Sequence, residues 1–299
     1  MGGVSDSFLA KFLDTSYATK FRHILFFVCW LYLQRKRVDL CLCQIKQLEV
    51  RMAHRDEIIA FLNELLKVDE FNDQCVNGLQ VEGKSEVQKI VLGVSVSERL
   101  FNVAIQKAAD LILVHHGLFW SRDAHPFALT GITRRRLALL LQHDINLVGY
   151  HLPLDAHPEV GNNIQLLKRL DLEPCNAVGI GFVGQLRQPT RLEHFVRHVN
   201  QQLQTQAMVF PYGAPTCRRV LVISGASSSA YPEAVALGVD TFLGGDIREE
   251  NVRAIEETGL NYIAAGHYNT EKFGLLALSP ILKNHFVVET HFVDIPNPV

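Results

Sequence analysis

Paired cysteines are the first thing this sequence lacks. None of its six, Cys29, Cys41, Cys43, Cys75, Cys175 and Cys217, forms a CxxC pair. That excludes a zinc ribbon and a disulfide framework, and it fits the reduced thiols of a cytoplasmic protein. A surplus of charge is missing too. The formal net charge is -2, which gives no electrostatic ground for expecting nucleic acid or a membrane as partner. That total balances +4 over residues 1–51 against -6 over the remainder, and the acidic remainder opposes DNA binding. No apolar run is long enough to span a bilayer, which takes roughly 20 residues. The nearest, Ile24 to Leu33, has Lys20 and Arg22 before it and Arg35-Lys36-Arg37 after it. As a secretory leader it fails, because basic residues follow the run and no small-residue cleavage site appears. A basic, apolar helix lying on a membrane surface is the minority alternative. Neither a G-x-x-x-x-G-K-[ST] phosphate loop nor a low-complexity linker is present.

What is there reads as an ordinary soluble globular chain, 48% apolar and 20% charged. At 299 residues it is long enough for two domains or lobes. Residues 1–51 do not resemble the rest. At Met52 a clean amphipathic pattern begins, with Ile58, Ile59, Leu62, Leu65 and Leu66 on one face. The expectation is that Met52 is the functional start and 1–51 an extension outside the fold. A chain beginning at Met52 should then fold, oligomerise and load metal like the full chain, as checked by sedimentation and elemental analysis.

From Met52 onward strands and helices alternate. Lys89–Val94, Leu111–Val114 and Ile145–Tyr150 read as strands, separated by helical spacing over Glu98–Ala109 and Ile132–His143. The Asn77-Gly78 and Glu82-Gly83 pairs read as turns. Arg219–Ser224, Asp240–Leu243 and Leu260–Ala264 repeat the strand plan, around helices over Ser228–Leu237 and Ile247–Thr258. Aligning Ala109-Asp110 with Val239-Asp240 sets Lys89 opposite Arg219 and His116 opposite Asp246 without a gap. The fold class expected is α/β: two similar lobes with mainly parallel sheets, over 52–180 and 181–299, and a metal site in the cleft between them.

The chemistry gathers after the strands. His115 and His116 follow Leu111–Val114, and Gly117 follows them. Neighbouring side chains in a strand point to opposite faces, so the pair is expected just past the strand end, where both rings can turn toward one point. His151-Leu-Pro-Leu-Asp155 follows the third strand of one lobe and Gly266-His267-Tyr-Asn-Thr-Glu271 that of the other. His267 and Glu271, four apart, share a helix face if the segment is helical. Alternatively Asn269 or Thr270 caps that helix. Ligands of α/β sheets collect at the carboxyl ends of strands, which makes His115, His116, Asp155, His267 and Glu271 the candidate metal ligands. Three imidazoles and two carboxylates exceed one tetrahedral site and suit two divalent ions bridged by a carboxylate. The lack of thiolate points to zinc, iron or manganese.

Asn77-Gly-Leu-Gln-Val-Glu-Gly83, Val114-His-His-Gly117, His151-Leu-Pro-Leu-Asp155 and Ala265-Gly-His-Tyr-Asn-Thr-Glu271 resemble the Nif-three-like family. These are dinuclear metal-centre hexameric proteins, also called type 2 homologues of GTP cyclohydrolase I. The likeness runs from Met52 to Val299 and fits the short bacterial form. It implies two similar lobes, a homohexameric ring with metal sites facing an internal cavity, and the same five ligands. Two local departures are Gly117, where many members have proline, and Ser95-Val-Ser97, where an aspartate is common; neither is expected to touch a ligand.

Two functions remain open on the sequence. One is a metal-dependent hydrolase of the cyclohydrolase type, acting on a small molecule, with ions that acidify a water. His151 would then be a proton shuttle, or a hydrogen-bond partner of Asp155. From Met52 onward Arg134-Arg-Arg136 is the only dense basic cluster for a triphosphate, and a solvated helix face is its plainer reading. The other function is a non-catalytic metal-binding ring, an adaptor or metal chaperone. Asp246 is expected either to cap the helix over Ile247–Thr258 or to hydrogen-bond a ligand histidine or substrate without touching an ion.

Overall fold

The computed structural model describes residues 53–121, 123 and 128–299. The expectations for residues 1–51 and the Met52 start lie outside the described residues. Among the described residues no helix is long and apolar enough to cross a membrane.

The first half runs β1 (Ala53–His54), α1 (Arg55–Leu66), β2 (Gly78–Val81), β3 (Glu86–Val87), β4 (Lys89–Ser95), α2 (Glu98–Gln106), β5 (Leu111–His116), α3 (Gly131–Gln142), β6 (Asn146–Gly149), α4 (Leu152–Ala156) and α5 (Asn162–Arg169). The second runs β7 (Glu173–Val178), β8 (Gly181–Arg191), α6 (Leu192–Leu203), β9 (Met208–Pro211), β10 (Thr216–Val222), α7 (Tyr231–Ala236), β11 (Thr241–Gly244), α8 (Glu249–Thr258), β12 (Asn261–Ala264), α9 (His267–Glu271), α10 (Phe273–His285) and β13 (Glu289–Phe292).

Each half centres on three parallel strands, β4-β5-β6 and β10-β11-β12, with an antiparallel strand beyond the third, β2 or β9. The sheets are therefore mixed. In the second, the hairpin β7-β8 adds two more antiparallel pairings. The chain also crosses between sheets: β13, at its end, pairs in parallel with β4 of the first sheet.

The parallel strands read as continuous apolar runs because both faces are covered. In the first sheet, Ile90, Leu92 and Leu113 pack under α1 and α10 with Ile58, Leu62, Leu275 and Leu278. Val91, Ile112 and Val114 face the other way, onto Leu100, Phe101 and Leu140 of α2 and α3. The second sheet does the same with Val220 and Val222 on one face and Leu221 and Phe242 on the other. Helix α10 belongs to both cores, since Phe273 packs with the second and Leu275, Leu278 and Leu282 with the first.

The repeat extends to register and hydrogen bonds. Ile90 pairs with Leu111 as Val220 pairs with Thr241. Asp110 accepts from the backbone N–H of Gln88 and Lys89, and Asp240 from that of Arg218 and Arg219. The buried amides of Asn146 and Asn261 each accept from a glycine N–H, Gly83 or Gly213. Two loops entering the sheets are thus fastened by the same side chains.

Several expectations need correction. The Asn77–Gly83 stretch contains a strand, β2, which takes in Gly78 of the first expected turn pair. Helix α8 starts at Glu249 with Arg248 in the cap position, so Asp246 is not its cap. Asn269 and Thr270 lie inside α9, whose cap position is Gly266. The histidine pair does not lie past the strand end: β5 runs through His116, which pairs with Ser95.

Candidate metal centre

The end of β5 organises the site. Although His115 and His116 are successive strand residues, their rings converge, with centroids 4.6 Å apart, and each meets a different oxygen of one carboxylate. His115 Nε2 lies 3.6 Å from Glu271 Oε1 and 3.6 Å from Asp155 Oδ2. His116 Nε2 lies 3.1 Å from Glu271 Oε2, and so does His267 Nε2. Two donor triads result, His115–Asp155–Glu271 and His116–His267–Glu271, each with its ligand atoms within 4.8 Å of one another. Glu271 belongs to both. The short helices α4 and α9, which follow the third strand of each half, deliver Asp155, His267 and Glu271.

Every imidazole is oriented through its other nitrogen. Nδ1 of His115 is 2.9 Å from the Tyr150 carbonyl, that of His116 2.9 Å from Ser95 Oγ, and that of His267 2.8 Å from Asp246 Oδ2. Such partners fix ring orientation and raise basicity in metal sites. Ser95 therefore does touch a candidate ligand, against expectation. Asp155 Oδ1 accepts from Asn162 Nδ2 at 2.9 Å and from Ser224 Oγ at 3.0 Å, leaving Oδ2 for the cluster. Asn162 also accepts from the N–H of Gly274, which ties α5 to α10.

His151 stands at the rim with a nitrogen within 4.8 Å of those of His115 and His116. It does not bond Asp155; its partner is Asp73, at 2.9 Å from Nδ1. The Asp73 side chain is only 2% exposed and also accepts from the N–H of Cys75 and Leu152 and from Asn77 Nδ2. Burial opposes its charge, but these bonds hold its carboxyl well below the usual range. Arg134, Arg135 and Arg136 sit on α3, where Arg135 pairs with Glu98.

The donor set fits a divalent ion on two further observations. His115 Nε2 and Glu271 Oε2 are buried and make no hydrogen bond, a costly state unless something else coordinates them. Gly225, at φ 63°, leaves room for Glu271, because a Cβ there would overlap its Oε1. The electrostatics agree. Burial opposes a charge on His115, yet Asp155 and Glu271 raise it to about 9; on His267 burial is likewise outweighed by Asp246 and Glu271, which raise it to about 10. Burial keeps His116 below its ordinary value. Burial would raise Glu271, but His116 and His115 hold it well below the carboxylate range. The carboxylates that would hold ions thus also favour protons on His115 and His267.

This chemistry makes two outcomes measurable. Groups raised above an unfolded value of about 6.5 stabilise the fold fully below that value and cease to as pH rises through their folded values. Chelator-stripped protein should thus lose melting temperature between about pH 7 and 10.5 relative to metal-loaded protein, whose ligand imidazoles are already deprotonated. Parallel melting curves for the two forms would contradict this. Asp246→Asn keeps an acceptor for His267 but removes the charge. It should leave folding intact and cost roughly tenfold in metal affinity, read by competition with a chelating dye.

The chain has relatives among known proteins. A model of the family Duf34/NIF3 (NGG1p interacting factor 3) matches residues 53–298. The chain is 42% identical over 239 residues to a Pseudomonas aeruginosa protein named GTP cyclohydrolase 1 type 2 homolog, covering 78% of this chain and 94% of that one. It is 38% identical over 244 residues to a Yersinia pestis protein of the same name, covering 81% and 98%. Among solved structures it superposes on protein ybgI, described as of unknown function, with a TM-score of 0.80 at 37% identity, covering 83% of this chain and 100% of that one. A crystal structure of a Thermus thermophilus protein gives 0.75 at 35%, with the same coverage.

Proposed function

The chain belongs to the Duf34/NIF3 family, and from that premise we propose that its cluster holds two divalent ions and works as a metal-dependent hydrolase. The observation that carries this is the sharing of Glu271 between two triads, since a carboxylate facing two donor sets is how paired ions are bridged. Zinc, iron or manganese suits a set of imidazoles and carboxylates without thiolate. Bound at this site, such ions would supply Lewis acidity and an acidified water.

The chain's own residues would do the rest. His115 and Asp155 form the closed side and His116 and His267 the open side, their side chains 0%, 4%, 20% and 28% exposed. Substrate would therefore enter over His116 and His267. His151, held through Nδ1 by Asp73, has a ring nitrogen within 4.8 Å of those of His115 and His116 and is placed to take a proton from the attacking water. In a ring-opening hydrolysis of the kind the relatives' name describes, water adds to a ring carbon and the carbon–nitrogen bond breaks. The nitrogen leaves with the proton that His151 has carried. A ring of six subunits is part of the same proposal, to be read by sedimentation.

The test is turnover of GTP and other cyclic amidine or amide substrates by metal-reconstituted protein. Activity should vanish in His115→Ala and fall at least about a hundredfold in His151→Phe, which keeps the volume and removes the proton carrier. Two bound ions with no turnover across the panel would sink the hydrolase reading.

A further inference from the structure

The segment Val293–Val299 leaves β13 on the first sheet and meets a helix of the second half. The Val293 N–H donates to the Leu92 carbonyl at 2.8 Å. That fixes the start of the segment on β4, the neighbour of the strand that carries His115 and His116. Val293 and Ile295 pack against the core beneath α2 and α3. From Pro296 onward the residues are exposed. Pro296, Asn297 and Pro298 line a cavity of about 240 Å³ together with Gly93, Ser95 and Leu100. A stretch set over a cavity takes its position from hydrogen bonds, and here they converge on one residue. The Tyr268 hydroxyl donates to Asp294 Oδ1, and its oxygen accepts from the Ile295 N–H at 2.9 Å. The Tyr268 N–H donates to the main-chain oxygen of Val299 at 3.3 Å.

Tyr268 stands between two candidate ligands in α9, directly after His267 and three residues before Glu271. A helix of five residues has too few internal bonds to hold itself, so its place depends on what grips it. Thr270 ties it to its own half by accepting from the Gly225 N–H. The Tyr268 ring grips the other half: although α9 follows the second sheet, that ring is 5% exposed within the core of the first. The segment 293–299 then fastens Tyr268 at both ends, hydroxyl and main-chain N–H. Any shift of α9 would carry His267 and Glu271 together away from His115 and His116. We propose that Tyr268 and Asp294 are positioning residues, through which the 293–299 strap sets α9 so that its two ligands meet the donors of the first half. This inference rests on the paired-ion reading above and extends it to what holds the triads together. Coupling of this kind is reciprocal: a strap that favours ion binding is itself tightened by bound ions.

The experiment reads zinc affinity by competition with a chelating dye, and amide exchange over residues 293–299 by mass spectrometry. Asp294 is exposed, so Asp294→Ala releases the hydroxyl without opening the core. Tyr268→Phe removes the hydroxyl and keeps the ring. Each should weaken zinc binding at least about fivefold. The double variant should lie within about twofold of the weaker single one, because both break the same link. Asp294→Asn keeps an acceptor oxygen and should stay within about twofold of the wild-type chain. In the wild-type chain zinc should slow exchange over 293–299 at least about fivefold, and in Tyr268→Phe it should not. Zinc held by Asp294→Ala as tightly as by the wild-type chain overturns the proposal and leaves the paired-ion reading standing, with Tyr268 a core residue only. Exchange over 293–299 that ignores zinc does the same. A wild-type chain that takes up no zinc, iron or manganese sinks the paired-ion reading, and this proposal with it.

Discussion

Glu271→Ala should leave the protein unable to retain either ion. Elemental analysis after reconstitution should fall from about two equivalents to near none, because one side chain supplies a ligand atom to each triad. Asp155→Ala removes a donor from only one triad, so the set His116–His267–Glu271 should still hold about one equivalent. Glu271→Gln sharpens the comparison. It keeps the volume but has one acceptor oxygen and no charge, and should hold at most one ion, weakly. Two equivalents persisting in Glu271→Ala would refute the shared-carboxylate geometry, and complete loss in Asp155→Ala would refute the division into two triads.

The second large effect is expected at a position with no functional group at all. Gly225 adopts φ 63°, and its N–H donates to Thr270 Oγ1 while its carbonyl accepts from Gly245 and Asp246. An alanine there would suffer left-handed backbone strain of about 1–2 kcal/mol and would drive its methyl into Glu271. With overpacking added, the total is roughly 2–5 kcal/mol. Gly225→Ala should lower the denaturation midpoint and displace the shared carboxylate together. A variant as stable and as metal-loaded as wild type would mean that the loop relaxes freely. Ala226→Gly, at the exposed neighbouring residue, serves as the control and should change stability by well under that amount.

How far the sequence reveals this site depends on distance along the chain. The strands are legible because a buried parallel strand is a run such as Leu111–Val114, and the alignment of Asp110 with Asp240 reappears as a shared register and shared backbone clamps. The five ligand-capable residues are legible because imidazole and carboxylate at strand ends are chemically conspicuous. Asp73 is not: it acts on His151 across 78 residues, and nothing local distinguishes it from a loop aspartate. Ser224 reaches Asp155 across 69 residues, and Ser95 reaches His116 across the sheet. Trp120 stands in view beside the histidines, but its orientation depends on a bridge to Cys75. The convergence of the two histidine rings is as expected, with centroids 4.6 Å apart, but the strand end is misplaced, because β5 runs on through His116.

Each triad draws donors from both halves of the chain, His115 with Asp155 or His116 from the first, and Glu271 with or without His267 from the second. An ion so held is bound only while the halves are docked, so its binding free energy adds by mass action to the docking equilibrium. The two sheets have separate cores, joined by α10, which packs in both, and by α5 of the first half, which packs in the second, an arrangement in which parts of a molecule can open independently. Loading would therefore act as a cooperativity device. It would join two regions that could otherwise melt at their own temperatures into one that melts once, and a cell starved of the ion would present its proteases with a looser molecule.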